Sequence, residues 1–346
     1  MNILIRVDSY SEIALGHLNR CINLGFSLLE YEHNLLFVCY EDETSRKRLN
    51  EVEFNFQLIP FKINDINNLD KEFKYLKSVS QTIDLLIVDS YSVNDNYFRM
   101  LSNIFSKIVY LDDLGFDVDV DMVINPSCKV EKSDYMAKDV LSGIDYVILG
   151  PEYSVGRLDK IDLMKDSILI TMGGIDHYNL SSRVIAIIEE ISTNIEVNLL
   201  IGPYYENIDL IKNSIIDSNL KINILEDISN ISSIILKNNM AITAGGFTVY
   251  EMAAMSTPCI GIALWDNQSN NIECMSKKHA LLPLYYSSEY EFDRHLKKEL
   301  IKLISNTNLR LEMSRRARMV VDGNGADRIS KAITKKYSTK FNCSLR

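Results

Sequence analysis

The chain opens on an apolar run, Ile3 to Val7, interrupted only by Arg6. A polar loop follows from Asp8 to Glu12. Apolar residues then recur at Leu18, Cys21, Ile22 and Phe26. Run length and β-branching predict a buried strand, and the later spacing predicts a helix opening at Gly16-His17. The alternation continues with strands at Leu35 to Cys39, residues 56 to 60, Asp84 to Asp89, Ile108 to Leu111, Met122 to Ile124 and Tyr146 to Leu149. Helices are expected over 65 to 78 and 94 to 104. A second series follows with strands at Ser167 to Thr171, Val197 to Ile201, Ile222 to Leu225, Met240 to Thr243, Pro258 to Ile262 and Pro283 to Tyr285. Its helices begin near Leu180, at Thr248 and at Asp266-Asn267-Gln268. The tail from Glu289 is expected to be helical, with a break at Asp322 to Gly325. Repeated strand–helix units predict an α/β protein with two doubly wound parallel sheets. Gly150 to Ile161, with Pro151 and Gly156, is a candidate linker.

Length agrees with that division. At roughly 150 residues per domain, 346 residues suggest two. The expected domains are 1–155 and 162–325, followed by a terminal helix and tail over 326–346. The net charge of −10 offers nothing for nucleic acid or an anionic membrane. Arg6 and Asp8 at the start are unlike a signal peptide, and no apolar run reaches the ~20 residues of a membrane span. The six cysteines form no CxxC pair and no zinc-like spacing, which suits a reduced, cytoplasmic compartment.

Ligands of open α/β sheets sit outside the carboxyl ends of the strands. His17, at a helix start after the first strand, stands where a ligand would be; a local capping or packing role is the alternative. Two glycine pairs, Gly173-Gly174 and Gly245-Gly246, occupy strand-to-helix turns where a diphosphate could meet free backbone N–H groups. Neither fits GxGxxG or a P-loop. Glu251, five residues after Gly246, could accept both hydroxyls of a ribose or simply complement the helix dipole. Asp117-Val-Asp-Val-Asp121 looks like a metal-binding DxD but precedes a strand instead of following one. No His, Asp and Glu cluster has ligand spacing, so no metal and no cofactor are expected.

Arg6, Asp8, Gly16, His17 and Arg20 form the pattern [IL]xxR-x-D-x(7)-GHxxR. Further motifs follow in order: Val88-Asp89-Ser90-Tyr91, Leu111-Asp112-Asp113, Met172 to Asp176 with Asn179-Leu180, Ala244 to Thr248 with Glu251, Asn267-Gln268, and Asp322 to Arg328. Together they resemble the nucleotide-sugar hydrolase family of the pseudaminic acid pathway (PseG), within the wider MurG-like group of GT-B fold. The resemblance covers almost the whole chain. It departs where Ala14-Leu15-Gly16 replaces the family's GxG, and where Phe247 stands for a small polar residue. Both changes bear on sugar identity more than on the reaction.

The resemblance implies two Rossmann-like domains with a cleft between them, and a last helix that could cross back to the first domain. It also implies release of UDP from a UDP-linked 2,4-diacetamido-trideoxy hexose, in surface-glycan biosynthesis. His17 would be the general base, since an imidazole with an unperturbed pKa near 6.5 is mostly neutral at neutral pH. A helix N-terminus disfavours the imidazolium, whereas a nearby carboxylate such as Asp8 would favour it. Asp8, Arg20, Tyr91, Asn267 and Gln268 would contact the sugar. Gly173, Gly174, Gly245, Gly246, Thr248 and Glu251 would hold the nucleotide. Arg6 and Arg20 could otherwise form surface or interdomain ion pairs, and Asp266 or Asn267 could merely cap its helix. The expected partner is a small-molecule UDP-sugar, with neither nucleic acid nor membrane insertion, and the oligomeric state is left open. Glycosyl transfer from a UDP-sugar, or nucleotide-sugar binding without catalysis, are the alternatives.

Overall fold

In the computed structural model the described residues are 1–10, 15–59, 69–155, 166–176, 178–202, 205, 208–226, 228 and 230–338. The elements of the first half are β1 (Asn2–Val7), α1 (Gly16–Glu30), β2 (Asn34–Tyr40), α2 (Glu43–Glu51), β3 (Phe56–Ile59), α3 (Leu69–Val79), β4 (Leu85–Asp89), α4 (Asp95–Ser102), β5 (Ile108–Leu111), β6 (Met122–Asn125) and β7 (Asp139–Ser142). The second half runs α5 (Glu152–Val155), β8 (Ser167–Thr171), α6 (Leu180–Ile191), β9 (Glu196–Leu200), α7 (Ile208–Ser214), β10 (Lys221–Leu225), α8 (Ile231–Leu236), β11 (Met240–Ala244), α9 (Thr248–Ala254), β12 (Cys259–Ala263), α10 (Asp266–Lys277), β13 (Leu282–Tyr285), α11 (Glu289–Ser305) and α12 (Thr307–Val320). A last helix, α13 (Gly325–Tyr337), ends the described chain.

Two compact units result. Met1–Pro151 and Asn324–Arg346 form one, and Glu152–Gly323 the other. The first holds a seven-stranded sheet ordered β3-β2-β1-β4-β5-β6-β7, the second a six-stranded sheet ordered β10-β9-β8-β11-β12-β13. Every strand pair is parallel. The fold is therefore two Rossmann-like α/β domains.

In the first unit side-chain alternation along β1 separates two cores. Ile3, Ile5 and Val7 pack with Leu18 and Ile22 of α1 and with Ile329 and Ile333 of α13. Leu4 packs the opposite way, with Phe73 of α3 and Phe98 of α4. Such two-sided burial explains the continuous apolar runs of the central strands. Helix α13 is held further by Tyr31, which donates to Asp327 at 2.8 Å, and by His33, 2.8 Å from Thr334.

In the second unit β8 leads outward to β9 and β10, whereas β11 leads the other way to β12 and β13. Right-handed crossovers in opposite directions place α6 on one face and α9 and α10 on the other. Helix α11 joins α6: Phe292, Leu296 and Leu300 pack with Val184, Ile188, Ile260 and Ile262.

Two expectations need correcting, and three helices were not expected at all. The seventh strand is Asp139–Ser142, because Ile144–Tyr146 turns as a 3-10 helix and leaves 147–149 without a strand. The helical tail from Glu289 breaks at Asn306 as well, whose side chain accepts the Leu309 N–H at 2.9 Å and caps α12. Helices α2, α7 and α8 are short and polar or weakly periodic, and escape a pattern reading. Residues 65–68 of the expected third helix and 156–161 of the candidate linker lie outside the described residues.

Candidate active site

In both units the strand order reverses at one place, between β1 and β4 and between β8 and β11. Such switch points open a crevice at the carboxyl ends of the strands.

At the first switch point β4 ends in Asp89, which is fully buried. Nδ1 of His17, in the first turn of α1, lies 2.6 Å from Asp89 Oδ1. Arg20, one turn along the same helix, donates through Nε to Asp89 Oδ2 and through Nη2 to Oδ1, both at 2.6 Å. Its Nη1 donates to both oxygens of Asp113 at 2.6 Å. Tyr91 donates to Asp113 Oδ2 at 3.0 Å, and its ring stands edge-on to His17 with centroids 4.3 Å apart. Cys21 Sγ lies 3.2 Å from Asp89 Oδ2. Burial acts to raise the Asp89 carboxyl, but Arg20 and then His17 overcome it and hold the group well below the usual carboxylate range. An ionised Asp89 accepts hydrogen bonds only, so Nδ1 carries the hydrogen and Nε2 is left as the basic nitrogen. Arg20 Nη2 also lies 3.2 Å from Nδ1, but two donors cannot bond. That approach follows from their sharing Asp89 Oδ1.

His17 therefore directs its ring at Asp89, and the N-cap of α1, Leu15, makes no side-chain cap bond. Nor is Asp8 the carboxylate of His17. Asp8 is fully buried, accepts from Arg6 at 2.6 Å and from Ser90, and has no exposed surface to offer a substrate. Arg6 also donates to Glu72 at 2.7 Å, and Tyr40 and Tyr97 donate to Glu72 at 2.5 and 2.8 Å. Among the described residues, Arg6 and Arg20 thus make buried ion pairs within the first unit. Arg20, expected at the sugar, directs its guanidinium at Asp89 and Asp113. Of the first unit's candidates, Tyr91 is the exposed one, at 44%. Asp113, whose motif was noted without a role, links it to the His17 cluster. The preceding Asp112 accepts the N–H groups of Leu114, Gly115 and Phe116 at 2.9 to 3.0 Å and shapes the neighbouring loop.

The second switch point carries both glycine turns, after β8 and after β11. Gly173 has φ +80°, a backbone that a side chain would strain. The turn is packed against Gly202, where a Cβ would fall 2.2 Å from the Gly173 carbonyl oxygen. Asp176 accepts the N–H groups of Leu180 and Ser181, each at 2.8 Å, and so caps α6 from four residues before it. Gly246 and Thr248 are half-buried, with open space beside Gly246 where a Cβ would project. Gly245 is closed in by Ile272 and Gln268, and Asn271 donates to its carbonyl at 3.0 Å. The N-cap of α10 is Trp265, which makes no side-chain cap bond; Gln268 reaches back and accepts the Leu264 N–H at 3.0 Å.

Glu251 stands in the first turn of α9 and accepts a hydrogen bond from Tyr153 of α5. Burial pushes its carboxyl up to about 7, against the opposing pull of that bond. Tyr153 and Asn271 were not singled out in the sequence, because neither lies in a recognisable motif. Asp117 and Asp121 are taken up by the backbone N–H groups of Met136 and Ile108, at 2.7 and 3.0 Å. Among the described residues no group of three or more His, Cys, Asp and Glu could hold a metal, and no helix is long and apolar enough to cross a membrane.

No protein-family model matches the chain. Among curated proteins it is similar to an uncharacterized protein of Methanocaldococcus jannaschii, at 25% identity over 88% of this chain and 66% of that one. The spore coat polysaccharide biosynthesis protein SpsG of Bacillus subtilis is 23% identical over 99% of this chain and 100% of its own. The UDP-2,4-diacetamido-2,4,6-trideoxy-beta-L-altropyranose hydrolase of Campylobacter jejuni is 24% identical over 84% of this chain and 100% of its own. Among solved structures, Acinetobacter baumannii MurG superposes with a TM-score of 0.70 at 14% identity, over 97% of this chain and 100% of that one. LpCGTa in complex with UDP gives 0.72 at 10% identity, over 97% and 99%. These likenesses establish the GT-B fold.

Proposed function

We propose that this protein is an enzyme acting on nucleotide sugars in surface-glycan biosynthesis, and that it hydrolyses a UDP-linked deoxy amino sugar. The observation that carries the reading is the His17–Asp89 pair at the first switch point, a base with its tautomer fixed. Glycine turns at the other switch point suit a diphosphate, and the named activity of the Campylobacter relative supports the choice of reaction.

In this reading His17 Nε2 takes a proton from water, whose oxygen attacks C1 of the sugar. The bond from C1 to the phosphate oxygen breaks, and UDP leaves with the electron pair. The anomeric centre inverts, and the proton passes from His17 to solvent. Asp89 and Asp113 outnumber Arg20 by one charge, which stabilises the imidazolium as it forms. General-base help supplies about 10²- to 10⁴-fold. Much of the rest comes from charge stabilisation on the diphosphate at Gly173, Gly174, Gly245, Gly246 and Thr248. Glu251 accepts the ribose hydroxyls, Tyr91 orients water or sugar, and Asn267 and Gln268 lie at the sugar side of α10.

Transfer to an acceptor hydroxyl is the second reading, favoured by glycosyltransferases such as MurG and WaaG among the structural neighbours. The same base would then deprotonate the acceptor. Incubation with UDP-sugars in the absence of any acceptor separates the two. Hydrolysis predicts free sugar and UDP in equal amounts, lost in His17→Ala. UDP released only when an acceptor is supplied would overturn it.

A further inference from the structure

Three aromatic rings meet at the carboxyl rim of the second sheet. Tyr178 follows β8, Trp265 follows β12 and Tyr286 follows β13. Tyr178 stacks on Tyr286 with centroids 4.6 Å apart and planes at 28°, and meets Trp265 at 5.6 Å and 38°. Tyr286 in turn stands edge-on to Phe292 of the core at 5.2 Å, which anchors the group. Yet Trp265 is 48% exposed and Tyr178 37%. Rings packed on one another and still this exposed can cover an apolar surface on a ligand.

We propose that Trp265 and Tyr178 form a stacking platform for the hexose ring of the nucleotide sugar. The inference rests on the nucleotide-sugar reading above. One face of a pyranose presents C–H bonds whose partly positive hydrogens complement the negative face of an aromatic ring. Position decides for the hexose over the base. Glu251 belongs to α9, on one face of the sheet, whereas Tyr178 and Tyr286 flank α6 and α11 on the other. With the ribose on Glu251 and the diphosphate at Gly245-Gly246, the base stays with the ribose. The group beyond the diphosphate extends toward the rings. Trp265 is tied to that turn, since it directly precedes α10, whose Gln268 packs against Gly245.

Trp265 is the chain's single tryptophan, so its emission reports on this position alone. The probes are UDP, UDP-N-acetylglucosamine and a UDP-2,4-diacetamido-trideoxy hexose, titrated against the His17→Ala protein to prevent turnover. At least one UDP-sugar is expected to change the emission, and UDP alone to leave it unchanged. By calorimetry Trp265→Ala should weaken that sugar nucleotide about three- to tenfold, the size of an aromatic stacking contact. Trp265→Phe should recover most of the loss, and UDP affinity should stay level in both. Tyr178→Leu provides an independent variant with the same expected pattern. An equal emission response to UDP, or equal loss of UDP affinity, would assign the rings to the base and overturn the platform. So would sugar-nucleotide binding, seen by calorimetry, with unchanged emission and unchanged affinity in Trp265→Ala. Absence of heat with all three probes would overturn the nucleotide-sugar reading itself, and the platform with it.

Discussion

His17 Nδ1 and Asp89 Oδ1 lie 2.6 Å apart, although 72 residues separate them in the chain. One stands at the start of a helix and the other at the end of a strand, and the reversal of strand order between β1 and β4 brings them together. The carboxylate decides which ring nitrogen is basic. Asp89→Asn removes that control with little change in shape. Hydrolysis of the UDP-sugar should fall roughly 10²- to 10⁴-fold. UDP affinity should be unchanged, since the proposed nucleotide residues belong to the other unit. Paired steady-state kinetics and calorimetry check this, and wild-type turnover in the variant would refute it.

Arg20 is a structural requirement of the same cluster. Its guanidinium serves two carboxylates, and Asp89 has no other full positive charge among the bonds described. Arg20→Met would leave a buried charge uncompensated, at a cost of about 3–5 kcal/mol. Urea unfolding should show the loss. Arg20→Lys should recover only part of it, because an ammonium cannot reproduce four short bonds from one planar group.

Glu251 predicts an opposite pH dependence from that of most carboxylates. Its folded value is pushed up to about 7, against about 4.3 in the unfolded chain. Between those values the folded state holds a proton that the unfolded state has released. Its contribution to stability therefore falls as pH rises from about 4 to 7 and is level beyond. Glu251→Gln should abolish this component, so that the variant gains on the wild type as pH increases. Melting temperatures of both proteins from pH 4 to 8 test the sign. UDP affinity should climb through pH 7 in the wild type, as the ionised carboxylate becomes the better acceptor, and stay flat in the variant.

His33 predicts a loss on the acid side. Burial, with the nearby Met1 amine, lowers its value to about 4. The unfolded imidazole binds a proton near pH 6.5, which the folded one refuses. Stability from this group is therefore lost as pH falls from about 6.5 to 4. The ring is bonded to Thr334 of α13. Amide exchange in α13 should accelerate over that window, and His33→Gln should flatten the response.

Much of the architecture was legible from pattern alone. Ile3 to Val7, Leu85 to Asp89 and Met240 to Ala244 are almost wholly apolar because parallel strands are covered on both faces, and such runs announce themselves without any partner. Short polar elements such as α2 did not, since their stability comes from contacts and caps: Asp42 accepts the Ser45 N–H at 3.0 Å. The motif around His17 marked the stretch whose histidine meets Asp89 at the first switch point. Which carboxylate meets it was not legible: Asp8, one that could, is turned instead into the network of Arg6 and Ser90.

What the residues alone determined is local: which segments are strands or helices, where glycine relieves a turn, and which side chains have chemistry to offer. Strand order is not local. It depends on which runs pair once every buried face is covered, and that competition involves the whole chain. Only the tertiary structure decided that β1 adjoins β4 and β8 adjoins β11. With that choice came the pairing of His17 with Asp89 and of Arg20 with Asp113, and the gathering of Tyr178, Trp265 and Tyr286 on one rim.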